Sequence, residues 1–242
     1  MDTIFSAKAW ATVWQYRATF LNGLLNTLES AAVGLVIAMV IGFAIGLMAT
    51  SGKRALQAVA RVYVEFFQNT PLILQVCFLY YALAYSGVRI TVVVIGFVSL
   101  GLYHGAYVGE VVRAGIQSIP PGQFDAARSQ GFGYAETMRA IILPQTVKII
   151  LPPMVNQVVA LIKNTSCLYI IVGADLIATT YKFVTGESTG GAYGPAYLVG
   201  GLLFFLVCYP LSMMAGRWEN RLKERDKQIV TAIEEQEGGD AA

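Results

Sequence analysis

Charged residues are scarce in this sequence. Only 13% of its 242 residues are Asp, Glu, Lys or Arg, whereas an average soluble domain has about 25%. Together with 56% hydrophobic residues and a mean hydropathy of +0.58, this depletion excludes an ordinary soluble globule and indicates an integral membrane protein. The net charge of only +2 gives no reason to expect nucleic acid as a partner.

Residues that ligate metals or catalyse reactions are equally scarce. The chain has one histidine and three cysteines, and Cys77, Cys167 and Cys208 lie apart in apolar segments, where cysteine is an ordinary packing residue. The sequence therefore predicts no metal site. It also lacks a convergent nucleophile, acid–base or metal set, which argues against a membrane-embedded enzyme. The absence of charge rings along the apolar segments argues against a gated channel.

The chain contains apolar runs long enough to cross a bilayer, since about 20 helical residues span the hydrocarbon. We predict an all-α membrane fold with five spanning helices, an interfacial helix at the N-terminus and a cytoplasmic helix between spans. The spans cover about 31–49, 62–85, 90–112, 147–162 and 196–214. Residues 1–20 form the interfacial helix, 21–227 the transmembrane domain and 228–242 a flexible tail, ragged near its end. Residues 186–194 form a loop, and Gly42 and Gly46 allow close helix approach in the first span.

The distribution of basic residues predicts the orientation of the chain. The loop at 51–61, the central loop and the tail share one side and hold twelve Lys and Arg residues, against five on the other side. The central loop and C-terminus are therefore expected in the cytoplasm and the N-terminus outside. This count requires that segment 164–180 does not cross the membrane, so we interpret it as re-entrant or periplasmic.

A polar segment in the middle of the chain, residues 122–144, is the strongest functional signal. It holds charged residues between apolar spans and is predicted to form two short helices in water. Gly131 separates them, because glycine tolerates positive φ at a helix end, and Pro144 ends the second. We expect another protein to bind this loop, with contacts from Phe124, Asp125, Ala126, Ala127, Arg128 and Gly131.

Two predicted spans are interrupted by uncharged polar residues, near 69–71 and 164–166. Interrupted helices expose backbone N–H and C=O groups, which suit the carboxylate and the ammonium of a small zwitterion. Polar groups at membrane depth mark such pathways or only hold helices together. The predicted substrate-binding residues are Asn69, Thr70, Gln75, Tyr103, Tyr107, Asn164, Thr165 and Ser166.

Several of these segments resemble one family of membrane proteins. The pattern from Asp125-Ala126-Ala127 through Gly131 to Pro144 resembles the "EAA" loop of ABC importer permeases, with Asp125 where Glu is usual. Segments 67–75, 107–120 and 163–166 resemble those of the polar amino-acid permeases, and the similarity covers about residues 20–227. Gln68 stands where arginine is common, so the resemblance assigns no ionic role to this position.

The resemblance implies a type I ABC importer fold and a set of partners. Two permease chains, identical or paralogous, would lie side by side with an ABC ATPase dimer below and a periplasmic or lipid-anchored substrate-binding protein above. The complex would import a polar amino acid across the bacterial inner membrane. The chain has no GxxxxGK[ST] phosphate loop, so the ATPase would bind ATP and Mg²⁺, and this chain would bind no cofactor and catalyse no reaction. The alternative is an ion-driven transporter that uses Glu110 and His104 and has no ATPase.

Overall fold

The computed structural model describes residues 6–171, 173–186 and 192–239, and within these ranges every regular element is helical. The α-helices are α1 (Ala7–Gln15), α2 (Arg17–Thr50), α3 (Arg54–Gln68), α4 (Leu72–Tyr85), α5 (Val92–Gln117), α6 (Pro121–Ser129), α7 (Tyr134–Thr137), α8 (Leu143–Asn164), α9 (Leu176–Thr185) and α10 (Tyr193–Gly239). A π-helical turn (Met138–Ile142) joins α7 to α8, and a 3₁₀ helix (Thr165–Ile171) follows α8.

Four helical stretches of the described chain are long and apolar enough to cross a membrane: Arg17–Thr50, Val92–Gln117, Tyr134–Ile171 and Tyr193–Leu222. Helices α3 and α4 meet at a bend of 99° and form a fifth candidate as a broken span. The predicted all-α membrane fold is therefore confirmed.

Helix α5 lies at the centre of the core and packs most extensively against α2. The two helices interlock because glycines on each face bulky side chains on the other. Gly34, Gly42 and Gly46 of α2 lie against Leu100, Val108 and Val112 of α5, and Gly101, Gly105 and Gly109 of α5 lie against Ile37, Ile41 and Ile45 of α2. The close approach predicted from the spacing of Gly42 and Gly46 is confirmed.

The first spanning helix begins earlier than predicted, at Arg17 instead of residue 31, and α1 ends at Gln15. Polar residues in this extension obscured it, but two of them bind the segment before α9. Asn26 Nδ2 donates to the carbonyl of Ala174 at 2.9 Å, and Thr27 Oγ1 accepts from the Leu176 N–H at 2.9 Å.

The polar loop predicted at 51–61 is mostly helix, because α3 begins at Arg54. Its charges lie on one side of an amphipathic helix, not in a loop. The predicted interruption of this span is confirmed at residues 69–71.

The prediction that Pro144 ends a helix is wrong. Pro144 lies in the first turn of α8, directly after the π-helical turn. A proline near the start of a helix omits an N–H that has no essential partner there, and the wider π turn precedes it, so the helical path continues from Tyr134 into the span.

The described residues of segment 164–180 include the 3₁₀ helix and the start of α9, and neither of these elements is long enough to span the bilayer. The buried Asp175 accepts hydrogen bonds from the N–H groups of Ile177 and Ala178 at the start of α9. Burial raises the pKa of the Asp175 carboxyl, and these hydrogen bonds oppose that effect. Residues 187–191 of the predicted loop lie outside the described residues. The tail backbone is helical to Gly239 instead of ragged from residue 234.

Candidate functional site

Helix α6, within the predicted docking loop, has two different faces. Phe124 is half-buried against the core and Ala127 is 3% exposed, so both contact the rest of this chain. Asp125, Ala126 and Arg128 are exposed, and Asp125 also lines a cavity of about 400 Å³ with Phe124 and Ile116. The inner pair anchors α6 to the transmembrane helices, while the outer residues form a small charged surface that a partner can contact.

Gly131 ends α6 in the way the sequence predicts. Its φ is +85°, its N–H donates to the carbonyl of Arg128, and the N–H of Phe132 reaches back to the carbonyl of Ala127, each at 3.0 Å. This pair of bonds is a Schellman motif, which requires a left-handed residue at the position of Gly131. The chain thereby turns from α6 into the helical path that begins at Tyr134.

The break between α3 and α4 uses its own polar side chains to satisfy the backbone. Asn69 Nδ2 donates to the carbonyl of Glu65 at 2.7 Å, and Thr70 Oγ1 donates to the carbonyl of Phe66 at 2.8 Å. Gln75 Nε2 donates to Thr70 Oγ1 at 2.6 Å. Three of the predicted substrate-binding residues thus come together, and their donors stabilise the bend.

Two buried polar atoms near this break remain unpaired within the described part of the chain: Gln75 Oε1 and Ser99 Oγ. Both residues line one cavity of about 340 Å³ whose other walls include Phe66, Phe78 and Leu102. Because an unpaired buried polar group is destabilising, these atoms suit a donor brought by a ligand or a second chain. Gln75 is among the residues predicted from the sequence to bind substrate, and Ser99 is not.

A second polar cluster lies on α5 and at the end of α8. The hydroxyls of Tyr103 and Tyr107 are 3.1 Å apart, and Asn164 Nδ2 lies 3.1 Å from His104 Nε2. This brings together three more predicted residues with the only histidine of the sequence.

The remaining two predicted substrate-binding residues lie at the start of the 3₁₀ helix. Thr165 is fully buried and donates its hydroxyl to the carbonyl of Ile162 at 2.9 Å. Ser166 is half-buried. Thr165 therefore holds the end of α8 in place and presents no exposed hydroxyl.

A polar cleft that was not predicted from the sequence lies between α3 and α5. This cavity of about 450 Å³ is lined by Arg61 and Glu65 of α3 and by Glu110, Arg113 and Gln117 of α5, with further glutamines beside them. Arg113 forms an ion pair with Glu110 and donates to Gln117 Oε1 at 2.5 Å. In the described part of the chain, the side chains of Arg61 and Glu65 make no hydrogen bond or ion pair.

The spacing of polar residues contained a signal for this cleft. Gln57, Arg61, Glu65 and Gln68 recur at intervals of three or four along α3, which places them on one helical face. Along α5, polar residues follow one side of the helix over about 27 Å, since each residue advances about 1.5 Å. They are Ser99, Tyr103, Tyr107, Glu110, Arg113 and Gln117.

No group of three or more His, Cys, Asp or Glu side chains that could hold a metal ion occurs among the described residues. The three cysteines are free thiols, with Cys208 buried and the other two half-buried. The polar groups that the structure brings together are therefore suited to hydrogen bonding and charge pairing.

Comparisons with known proteins place these features in context. Residues 38–224 match the family described as "Binding-protein-dependent transport system inner membrane component". The chain is 36% identical over 205 residues to the "Probable glutamine ABC transporter permease protein GlnM" of Bacillus subtilis (strain 168), covering 85% of this chain and 94% of that protein. It is 31% identical to the "Probable amino-acid ABC transporter permease protein YckA" of the same organism, covering 95% and 97%.

Solved structures show the same architecture. The structure titled "Crystal structure of an amino acid ABC transporter with histidines" contains a chain that matches with a TM-score of 0.79 and 31% identity, over 88% of this chain and 98% of that one. A chain of the MetNI methionine ABC transporter matches with a TM-score of 0.69 at 16% identity, covering 84% and 98%, and this likeness concerns the fold alone.

Proposed function

We propose that this chain is the permease subunit of an ATP-driven amino-acid importer. The chain belongs to the family of binding-protein-dependent transport system inner membrane components. The single observation that carries the proposal is α6, a charged helix anchored by Phe124 and Ala127 between two spanning stretches. Relatives with amino-acid and glutamine transport in their printed names support the substrate class.

In this proposal the outer face of α6 contacts one subunit of an ABC ATPase dimer, which binds ATP and Mg²⁺. Asp125, Ala126, Arg128 and Gly131 make the contact, while Phe124 and Ala127 transmit its movement to the spans. A second permease chain, identical or paralogous, completes the pathway, and a substrate-binding protein delivers the solute. The orientation is that predicted from the basic residues, with the N-terminus outside and the C-terminus in the cytoplasm.

The solute pathway follows the polar side of α5. At membrane depth it passes the predicted polar residues around Gln75, Tyr103, Tyr107 and Asn164. An aqueous route suits these groups because polar side chains facing lipid are destabilising, and both partners of the tyrosine pair are half-buried. The second permease chain would cover this side and enclose the route.

The cleft between α3 and α5 forms the cytoplasmic end of this pathway. Its unpaired Arg61 and Glu65 offer one guanidinium and one carboxylate a single helical turn apart. Such a pair complements the carboxylate and ammonium of an amino acid, and the neighbouring glutamines can bind a polar side chain.

Uptake into liposomes tests the function directly. The chain is reconstituted with its co-expressed partner subunits and supplied with the binding protein and a panel of labelled amino acids, including glutamine. We expect uptake only with enclosed ATP, and none with an ATPase variant that cannot hydrolyse it. Uptake driven by a proton or sodium gradient without ATP would establish the ion-driven alternative instead.

Replacing Glu65 by glutamine tests the role of the cleft. We expect Glu65→Gln to lower the rate of ATP-driven uptake about tenfold or more, since a charge-assisted hydrogen bond to the ammonium contributes roughly 1.5–3 kcal/mol. The matched control is Arg54→Gln, which changes a charge at the start of α3 outside the cleft. Equal uptake rates for the two variants would show that the cleft is not part of the solute pathway. ATP-dependent uptake by both variants would still support the importer function.

A further inference from the structure

An apolar groove on the outside of the helix bundle has no role in the proposed transport. It lies between the N-terminal helices and α10, and its volume is about 460 Å³. Its walls are formed by Trp10, Val13, Phe20, Leu21, Val199 and Leu203. Val13 and Phe20 are buried and form its base, whereas Leu21 is 51% exposed.

The groove is located where only lipid or another protein can fill it. Leu21 belongs to α2 and Leu203 to α10, and both helices are long, apolar membrane spans. Water is excluded from the hydrocarbon region, so an apolar groove on a lipid-facing surface accommodates an acyl chain. Trp10 and Trp14 lie on α1, and tryptophan prefers the boundary between acyl chains and headgroups.

A positively charged side chain also lies at this groove. Arg17, the first residue of α2, also lines it. Its Nη1 donates to the carbonyl of Trp14 at 3.0 Å, and its guanidinium carbon lies 5.2 Å from the centre of the Trp14 ring. These contacts hold the side chain beside the groove and use one of its five N–H donors. No carboxylate pairs with Arg17 in the part of the chain that the structure describes.

We propose that this groove is a binding site for an anionic phospholipid, with one acyl chain along the apolar walls and the headgroup phosphate on Arg17. The guanidinium supplies donors that match a phosphate. Because no carboxylate of the described residues neutralises the cation, the site prefers a lipid with net negative charge over a zwitterionic one.

Quenching of tryptophan fluorescence by brominated lipids measures which lipid occupies the groove. The sequence has three, two of which, Trp10 and Trp14, line the groove. Trp218→Phe removes the third. The signal of the partner subunits is measured with a variant that also carries Trp10→Phe and Trp14→Phe and is subtracted, so that the remaining fluorescence reports on the groove. The full-length variant, co-purified with its partner subunits, is placed in phosphatidylcholine nanodiscs that contain a minor fraction of brominated lipid. Bromine on the acyl chain quenches tryptophan on contact, and brominated phosphatidylglycerol is compared with brominated phosphatidylcholine at the same fraction.

We expect phosphatidylglycerol to be enriched about fivefold over phosphatidylcholine at the tryptophans, since one arginine near the surface contributes about 1 kcal/mol to anionic lipid binding. Arg17→Gln should abolish this preference. Arg89→Gln, which removes an exposed arginine outside the groove, should preserve it. Val199→Phe, which narrows the groove without a charge change, should reduce quenching by both lipids.

Two results would overturn the proposal. Equal quenching by the two lipids, unchanged in Arg17→Gln, would show ordinary contact with bulk lipid and no headgroup site. Weak quenching by both lipids before any change to the groove would show that a protein subunit covers it. Neither result depends on transport, so the proposed importer function stands or fails separately.

Discussion

ATP-driven uptake is expected to fall at least a hundredfold when Asp125 is replaced by arginine. Asp125 is exposed on α6, next to the anchoring residue Phe124. An opposite and bulkier charge there is unfavourable by several kcal/mol in an interface that complements the original one. Because the Asp125 side chain is exposed and forms no hydrogen bond or ion pair within the described part of the chain, the protein should still fold and insert. The measurement is uptake by the reconstituted complex together with its ATPase rate.

Two controls distinguish loss of contact with the ATPase from a local change in the conformation of α6. Asp125→Glu keeps the charge and should retain most of the uptake. Gly131→Val places a β-branched residue at φ +85° and should impair uptake, whereas Gly122→Val introduces the same side chain at an open position without positive φ. Full ATP-dependent uptake by Asp125→Arg would show that this face of α6 does not contact the ATPase.

Replacing Gly42 by valine is expected to prevent accumulation of folded protein. A Cβ at this position would meet the side chain of Val108 and lie 2.9 Å from the backbone nitrogen of Gly109. Because the added Cβ would clash with the backbone of α5 as well as with a side chain, the two central helices α2 and α5 must separate. Overpacking of a core usually destabilises by about 1–3 kcal/mol, and this site should exceed that range. The amount of detergent-stable, monodisperse protein measures the effect.

A matched variant is available in α10. Gly201 is also helical and lies in a membrane span, but nothing is within 4 Å of the position that its Cβ would occupy. Gly201→Val carries the same change in helix propensity and should accumulate like the unmodified chain. If Gly42→Val and Gly201→Val accumulate equally, the interlocked glycines are not what holds α2 to α5.

Local chemistry made several features predictable. Gly131 at the end of α6 is confirmed because a Schellman motif depends on one residue that tolerates positive φ. The break after Gln68 is confirmed because Pro71 restricts the residue before it and follows a polar pair. The spacing of Gly42 and Gly46 correctly predicted close packing.

Errors arose where a residue's neighbours in space decide its role. The first span was predicted as the uncharged run that follows Glu29, but the helix begins at Arg17, and its polar Asn26 and Thr27 bind the residues around the start of α9. Pro144 suggested a helix end, but a π-helical turn lies before it. The charges near Arg61 suggested a loop, yet they lie on one face of α3.

The sequence by itself determined the membrane class, the helical fold and the existence of a polar segment between two spans, because these depend on hydrophobicity and on residues close together in the chain. Only the tertiary structure decided that Phe124 and Ala127 are the residues of α6 that pack against the core. It also brought Arg61 and Glu65 of α3 to Glu110 of α5, and Arg17 to Leu203 of α10. These are relations between helices distant in sequence, and side-chain packing, not local spacing, sets them.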